Sequence, residues 1–202
     1  MSFFARRLGC LPNILTLVRI SCVPVIVLCY YLPINGHAMA AMVFALAAST
    51  DWLDGYLARQ LQQVSSFGAF LDPAADKLLV CVALLLILGS GDQDWDALLM
   101  QHACYGPIIA TVPGIIIVCR ELVVSSLREW MAKVGASDLV SVSYLGKLKT
   151  VLQMLALTVL LLCDRHTKAG MWYIGYVLLY SAALCALWSL WCYLRHAFSK
   201  NF

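Results

Sequence analysis

D-W-L-D-G-Y-L-A-R-Q-L-Q-Q-V-S-S-F-G-A-F-L-D-P-A-A-D, residues 51–76, places four carboxylates, two glycines and one arginine in a chain that is 62% hydrophobic. In lipid an ionisable side chain is costly unless it has a partner or a task. Four acids in so short a stretch therefore need a common reason. The reading that supplies one is a pair of divalent cations held between two helices.

The surroundings of this stretch fix the class of protein. The 202 residues have a mean hydropathy of +0.84, and only 12% are charged. A soluble domain carries about twice that charge. The apolar residues come in long blocks, so the expected fold is all-α and integral to the membrane: a bundle of six transmembrane helices behind a short N-terminal interfacial segment. A net charge of +3 is too small to suggest nucleic acid binding. The nine cysteines (Cys10, Cys22, Cys29, Cys81, Cys104, Cys119, Cys163, Cys185 and Cys192) form no C-x-x-C pair and lie mostly inside apolar blocks. They read as small hydrophobes of membrane helices, not as metal ligands or disulfides.

Residues 1–11 carry Arg6 and Arg7 among Phe3, Phe4 and Leu8 and read as an interfacial anchor. The apolar run after them is too long for the core of a cleaved signal peptide. The expected single membrane domain covers residues 12–198, with spans at about 12–32, 37–60, 67–88, 113–134, 145–163 and 169–194. Pro33 to Gly36 is a tight turn. Residues 97–111, interrupted by Gly106 and Pro107, read as a re-entrant or interfacial piece before Pro113 opens the fourth span. Residues 195–200 read as a basic tail.

Six spans put both termini on one side. Of the 14 basic residues, all but Arg165 and Lys168 then fall on that side or in the span halves nearest it. By the positive-inside rule this side is cytoplasmic. Asp51, Asp54, Asp72 and Asp76 share it, whereas Asp92, Asp94 and Asp96 lie outside. The expected location is a bacterial inner membrane with a cytoplasmic active site.

Asp51 and Asp54 are three apart, and Asp72 and Asp76 four apart, so each pair shares a helix face. Carboxylates converging in a low dielectric repel strongly. Oxygen-only ligands favour Mg²⁺, Mn²⁺ or Ca²⁺ over zinc. Two Mg²⁺ or Mn²⁺ ions would suit phosphoryl chemistry. Gly55 and Gly68 admit either a bulky ligand or a close-packed helix. Arg59 suits either a phosphate or a topological anchor. Asn13, Thr16 and Arg19 share one face of the first span, and a charge as deep as Arg19 calls for a role.

The pattern D-x2-D-G-x2-A-R-x8-G-x3-D-x3-D resembles that of the CDP-alcohol phosphotransferase family, and Asp51, Asp54, Gly55, Ala58, Arg59, Gly68, Asp72 and Asp76 fill every fixed position. The resemblance implies that the four aspartates hold a binuclear metal site and that Asp76 is also the general base on the acceptor hydroxyl. It implies a CDP site lined by Gly55, Ala58, Arg59 and Gly68. Asn13, Thr16 and Arg19, in P-N-I-L-T-L-V-R, look like the family's first-span motif, near the nucleotide and diphosphate. A homodimer is implied as well.

The acceptor is read from the second half. Arg120 and Arg128 stand two turns apart, offset by roughly 80°, and Lys147 and Lys149 open the fifth span. Arg120 and Arg128 could be neutralised by Glu121 and Glu129, or the basic excess could form a pocket for a phosphate monoester. C-R-E-L-V-V-S-S-L-R-E-W-M-A followed by Y-L-G-K-L-K-T resembles the bacterial-type members of the family that use glycerol 3-phosphate. This implies transfer of a phosphatidyl group from CDP-diacylglycerol to glycerol 3-phosphate, giving phosphatidylglycerol phosphate and CMP, with Arg120, Arg128, Lys147 and Lys149 on the acceptor's phosphate. The competing readings are a cardiolipin synthase of the same fold, with phosphatidylglycerol as acceptor, a synthase using inositol phosphate, and a divalent-cation transporter. A transporter needs acids spread through the membrane depth, whereas these cluster on one side.

Overall fold

The computed structural model describes residues 11–61, 66–89, 106–133, 144–164 and 166–199; within the helices, the side chains of 11–15, 51–61, 66–70, 72–73, 106–108, 132–133, 144–147 and 196–199 are outside that description. Every regular element among the described residues is an α-helix. In chain order these are α1 (Leu11–Tyr30), α2 (Gly36–Leu61), α3 (Ser66–Gly89), α4 (Gly106–Lys133), α5 (Tyr144–Leu162) and α6 (Ala169–Ser199). The expected all-helical architecture holds, and five of the six helices start within a residue or two of the expected span.

Two boundaries differ. The fourth helix begins at Gly106 and runs through Pro113, so residues 106–111 belong to it and not to a separate re-entrant piece. Pro107 lies in its first turn, where a missing N–H breaks no helical bond. Pro113 lies inside the helix, as Pro24 does in α1; an apolar helix packed among others tolerates this because neighbours re-satisfy the freed carbonyl. The sixth helix continues past Leu194 through Arg195 to Ser199, so residues 195–199 of the basic tail belong to it, and Lys200 lies outside the described residues. Cations there face the negative end of the helix dipole. The interfacial segment 1–10, residues 97–105 and Arg165 lie outside the described residues.

The chain divides into two compact units, Met1–Ser90 with Leu161–Asp164, and Gly91–Leu160 with Arg165–Phe202. In the first, α1 packs on both α2 and α3. The turn from α1 to α2 is tight. Asn35 has φ 54°, and its carbonyl accepts the first bond of α2 from Met39 N–H. Asparagine tolerates the left-handed region and caps helices well. A Cβ on Gly36 would stand 2.6 Å from the Cys29 carbonyl oxygen, so only glycine lets the chain turn back so closely. On α3, Ala75, Leu79, Ala83 and Ile87 recur every fourth residue and are all buried. Alternating small and large side chains in this way lets helices approach and interlock.

In the second unit α4 packs on α6. Ala110, Ile117, Val124 and Met131 recur every seventh residue of α4 and are buried. On α6 the buried positions include Trp172, Tyr176, Leu179, Ala182, Ala183, Ala186 and Ser189. A Cβ at Gly175 would meet Leu160 Cδ2 at 2.5 Å, which marks close contact between α5 and α6.

The outward faces are as apolar as the inward ones. Leu28, Leu85, Leu184, Trp188 and Trp191 are all well exposed. Serine and threonine hydroxyls turn back onto their own helices, as Thr50 Oγ1 does to the Ala47 carbonyl at 2.7 Å and Thr158 Oγ1 to that of Met154 at 2.8 Å. Each such bond satisfies its own hydroxyl on an apolar surface. Ile109–Met131 and Ala169–Arg195 are long and apolar enough to cross a membrane by length and composition. Thr16–Tyr30, Gly36–Thr50 and Leu148–Leu162 are shorter apolar helices.

Candidate active site

The acid-bearing stretch occupies the second half of α2 and the first half of α3. Asp51, Asp54, Gly55, Ala58 and Arg59 lie on α2, and Gly68, Asp72 and Asp76 on α3. Among these residues the side chain of Asp76 is described; those of Asp51, Asp54, Ala58, Arg59 and Asp72 lie outside the described residues, as does that of Asn13 on α1. Among the described residues no group of three or more His, Cys, Asp or Glu converges. Four carboxylates with no thiolate or imidazole in the stretch make a hard, oxygen-only set that fits Mg²⁺ or Mn²⁺.

One contact joins the first span to this stretch. Arg19 Nη1 donates to Asp76 Oδ1 at 2.7 Å, and the guanidinium side chain is 1% exposed against 38% for the carboxylate. Thr16, one turn before Arg19, is wholly buried on the same face. The sequence assigned Arg19 to a nucleotide diphosphate and Asp76 to metal and proton transfer. The structure adds that the two side chains hold each other. Spacing could not reveal a bond between residues 57 positions apart.

The basic residues of the second unit split into two settings. Arg120 and Lys149 are buried and meet at one acid. Arg120 Nη1 donates to Glu121 Oε1 at 3.3 Å, and Lys149 Nζ bonds the same oxygen. Arg120 Nη2 donates to Ser189 Oγ of α6 at 3.0 Å. Arg128, in contrast, is exposed. Its Nη2 donates to the Tyr193 hydroxyl at 3.0 Å, and its guanidinium carbon lies 5.6 Å from that ring's centroid. The Lys147 side chain is outside the described residues.

The two alternatives left open by the sequence are therefore mixed. Glu121 does pair with Arg120, but it also takes Lys149, so two buried cations share one carboxylate. That cluster keeps a net positive charge. Arg128 is engaged by Tyr193.

Three residues had no part in the sequence reading. Ser189 and Tyr193 sit one turn apart on α6, among aromatics that masked them. Gln153 is buried on α5 one turn after Lys149. A polar residue four positions after a lysine in an otherwise apolar helix is a signal that the sequence did offer.

All seven described cysteines, Cys22, Cys29, Cys81, Cys119, Cys163, Cys185 and Cys192, are free thiols.

Comparison with known proteins bears on both units at once. The sequence profile of the CDP-alcohol phosphatidyltransferase family matches residues 9–188. The chain is 41% identical over 188 residues to the CDP-diacylglycerol–glycerol-3-phosphate 3-phosphatidyltransferase of Pectobacterium atrosepticum, covering 93% of this chain and 94% of that protein. Its identity to the proteins of the same name is 42% over 190 residues in Yersinia pestis and 40% over 190 residues in Escherichia coli. Those alignments cover 94% of this chain and 95% of the Yersinia protein, and 93% of this chain and 94% of the Escherichia protein. With the complete aspartate pattern and a profile match that runs from the start of α1 into α6, the chain belongs to the CDP-alcohol phosphatidyltransferase family.

Proposed function

We propose that the protein is an enzyme that transfers the phosphatidyl group of CDP-diacylglycerol to glycerol 3-phosphate, releasing CMP and phosphatidylglycerol phosphate. The observation that carries this reading is about 40% identity along nearly the full length of relatives that bear this name. The cation excess at Arg120 and Lys149 supports an anionic acceptor.

Asp51, Asp54, Asp72 and Asp76 would hold two Mg²⁺ or Mn²⁺ ions. When bound, such ions neutralise the diphosphate and the charge that develops on the departing nucleotide phosphate. The remaining roles belong to the chain itself. Asn13, Thr16, Arg19, Gly55, Ala58, Arg59 and Gly68 receive the CDP group, the glycines giving the backbone close access. Arg19 orients Asp76 through its bond to Oδ1. Asp76 accepts the proton of the free terminal hydroxyl of glycerol 3-phosphate as that oxygen attacks the β-phosphorus in line. Arg120 and Lys149 take the acceptor's phosphate, with Arg128 and Lys147 as further cations. Holding both reactants in line and matching their charges supplies most of the rate.

The six helices form one domain in this reading, and each crosses the membrane. Exposed apolar side chains such as Val112, Ile115 and Leu122 on α4 and Ile174, Leu184 and Trp188 on α6 support it, since apolar surface of this extent belongs in a core or in lipid. Both termini and the active site face the cytoplasm, and the membrane is the bacterial inner membrane. CDP-diacylglycerol enters from its cytoplasmic leaflet. The family resemblance favours a homodimer.

The test is an acceptor panel. Purified protein receives CDP-diacylglycerol, Mg²⁺ and, in turn, glycerol 3-phosphate, phosphatidylglycerol or inositol phosphate, and CMP release is measured. Turnover with glycerol 3-phosphate that disappears on chelation and in Asp72→Asn is expected. Absence of turnover with that acceptor would sink the reading.

A further inference from the structure

The Arg120–Lys149 cluster holds more than a phosphate reading requires, and what it holds is arranged in depth. Lys149 is 1% exposed, Arg120 6%, Ser189 1% and Gln153 3%. The Glu121 side chain, which Lys149 and Arg120 share, is 25% exposed. The cations thus lie deeper than the carboxylate that neutralises them. Two buried polar atoms, Arg120 Nε and Gln153 Oε1, have no hydrogen-bond partner among the described residues. Buried polar atoms are nearly always satisfied, so each such exception asks for a cause. One orphan is a donor and the other an acceptor. A hydroxylated phosphate monoester offers both complements, oxygens for the first and hydroxyl protons for the second.

We propose that Glu121 is an exchangeable counter-ion of the acceptor site. Its carboxylate holds Lys149 and Arg120 in the empty protein, and the phosphate of the acceptor takes them over on binding. Arg120 Nε then donates to a phosphate oxygen, Gln153 Oε1 accepts from an acceptor hydroxyl, and Ser189 keeps the guanidinium in place through its bond to Nη2. This rests on the reading of the cluster as the acceptor site.

The exchange has a reason in charge. Two buried cations without an anion would be strongly unfavourable, so an empty site needs an internal one. A dianion brings more charge and more oxygens than one carboxylate and so can displace it. A neutral polyol cannot, because it would leave the carboxylate in possession of both cations. Glu121 therefore selects for charge, and Gln153 for a hydroxyl beside it.

The experiment uses the purified full chain in detergent, with inorganic phosphate as the probe and steady-state turnover as the second readout. In phosphate-free buffer Glu121→Gln should melt below the wild type. Phosphate should then raise its midpoint by more than it raises the wild type's, and should bind about tenfold more tightly, the size of one competing charge-assisted contact. Gln153→Leu, which suits an apolar helix, should fold as well as the wild type. It should raise KM for glycerol 3-phosphate about tenfold while KM for CDP-diacylglycerol stays fixed, since a site built for a hydroxyl is left with the loss of that bond.

Phosphate binding to Glu121→Gln that is no tighter than to the wild type would overturn the exchange. So would an unchanged acceptor KM in Gln153→Leu, which also decides the matter should Glu121→Gln not fold. A wild type that turns over glycerol 3-phosphate while either result fails leaves the proposed reaction standing and removes only the exchange. A wild type with no such turnover removes the reaction first.

Discussion

Two ion-pair clusters, one in each unit, follow one rule and reach opposite ends. In the first unit the buried cation Arg19 meets Asp76, the last acid of a carboxylate-rich stretch. In the second, the buried cations Arg120 and Lys149 meet the single acid Glu121. In both the guanidinium or ammonium lies deep and the carboxylate lies nearer the surface. What differs is the remainder. Around Asp76 the sequence has acids in excess, which asks for cations from outside. Around Glu121 cations are in excess, which asks for an anion. In the proposed reading the ligands supply the charge that each cluster lacks.

The largest test of this contrast removes acid from the first cluster. Asp72→Asn and Asp76→Asn should each lower metal-dependent CMP release by about 10²–10³-fold, the scale of losing one electrostatic contact to a developing charge. The melting temperature in detergent should change little by comparison. Equal rates in variant and wild type would deprive the acidic cluster of its role.

Next comes the cation that faces those acids. Arg19→Leu should destabilise the protein by about 1–2 kcal/mol, because breaking a buried pair costs more than breaking an exposed one and Asp76 is partly solvated. Thermal unfolding in detergent checks this. An unchanged midpoint would make the Arg19–Asp76 bond incidental.

In the second unit Arg120→Lys should raise KM for glycerol 3-phosphate about tenfold with a smaller effect on KM for CDP-diacylglycerol. A lysine cannot reach Glu121 and Ser189 together as a guanidinium fork does. Equal changes in both constants would mean that the cluster does not discriminate between the substrates. The smallest effect is expected at Arg128. Its cation–π contact with Tyr193 is exposed and contributes about 0.5–1 kcal/mol. Arg128→Ala should change the acceptor KM only two- to threefold (about 0.5 kcal/mol at the standard conversion), and salt should mute even that. A loss as large as that of Arg120→Lys would place Arg128 with the buried cations.

Much of the fold was legible because apolar helices announce themselves by length and composition. The starts of α1, α2, α3, α5 and α6 follow from blocks of hydrophobic residues and the polar turns between them. The start of α4 did not: Gly106 and Pro107 suit a first turn, but Pro113 also reads as a helix start, and only packing against other helices makes it acceptable inside one. The end of α6 was misplaced because Arg195 looks like a tail until the helix dipole is considered.

For the site, the sequence by itself determined how the four aspartates of the first cluster are spaced along their helices. Side chains three and four apart share a helix face whatever else the chain does, so the pairing of Asp51 with Asp54 and Asp72 with Asp76 needs no tertiary information. It also placed the basic residues of the second half on α4 and α5. Only the tertiary structure decided who neutralises whom. The bonds from Arg19 to Asp76, from Lys149 to Glu121 and from Arg120 to Ser189 join residues 57, 28 and 69 positions apart. Helical periodicity sets the direction of a side chain only relative to its own axis. Which cation comes to share which carboxylate depends on how neighbouring helices are turned toward one another, and that is fixed by the packing of their buried faces.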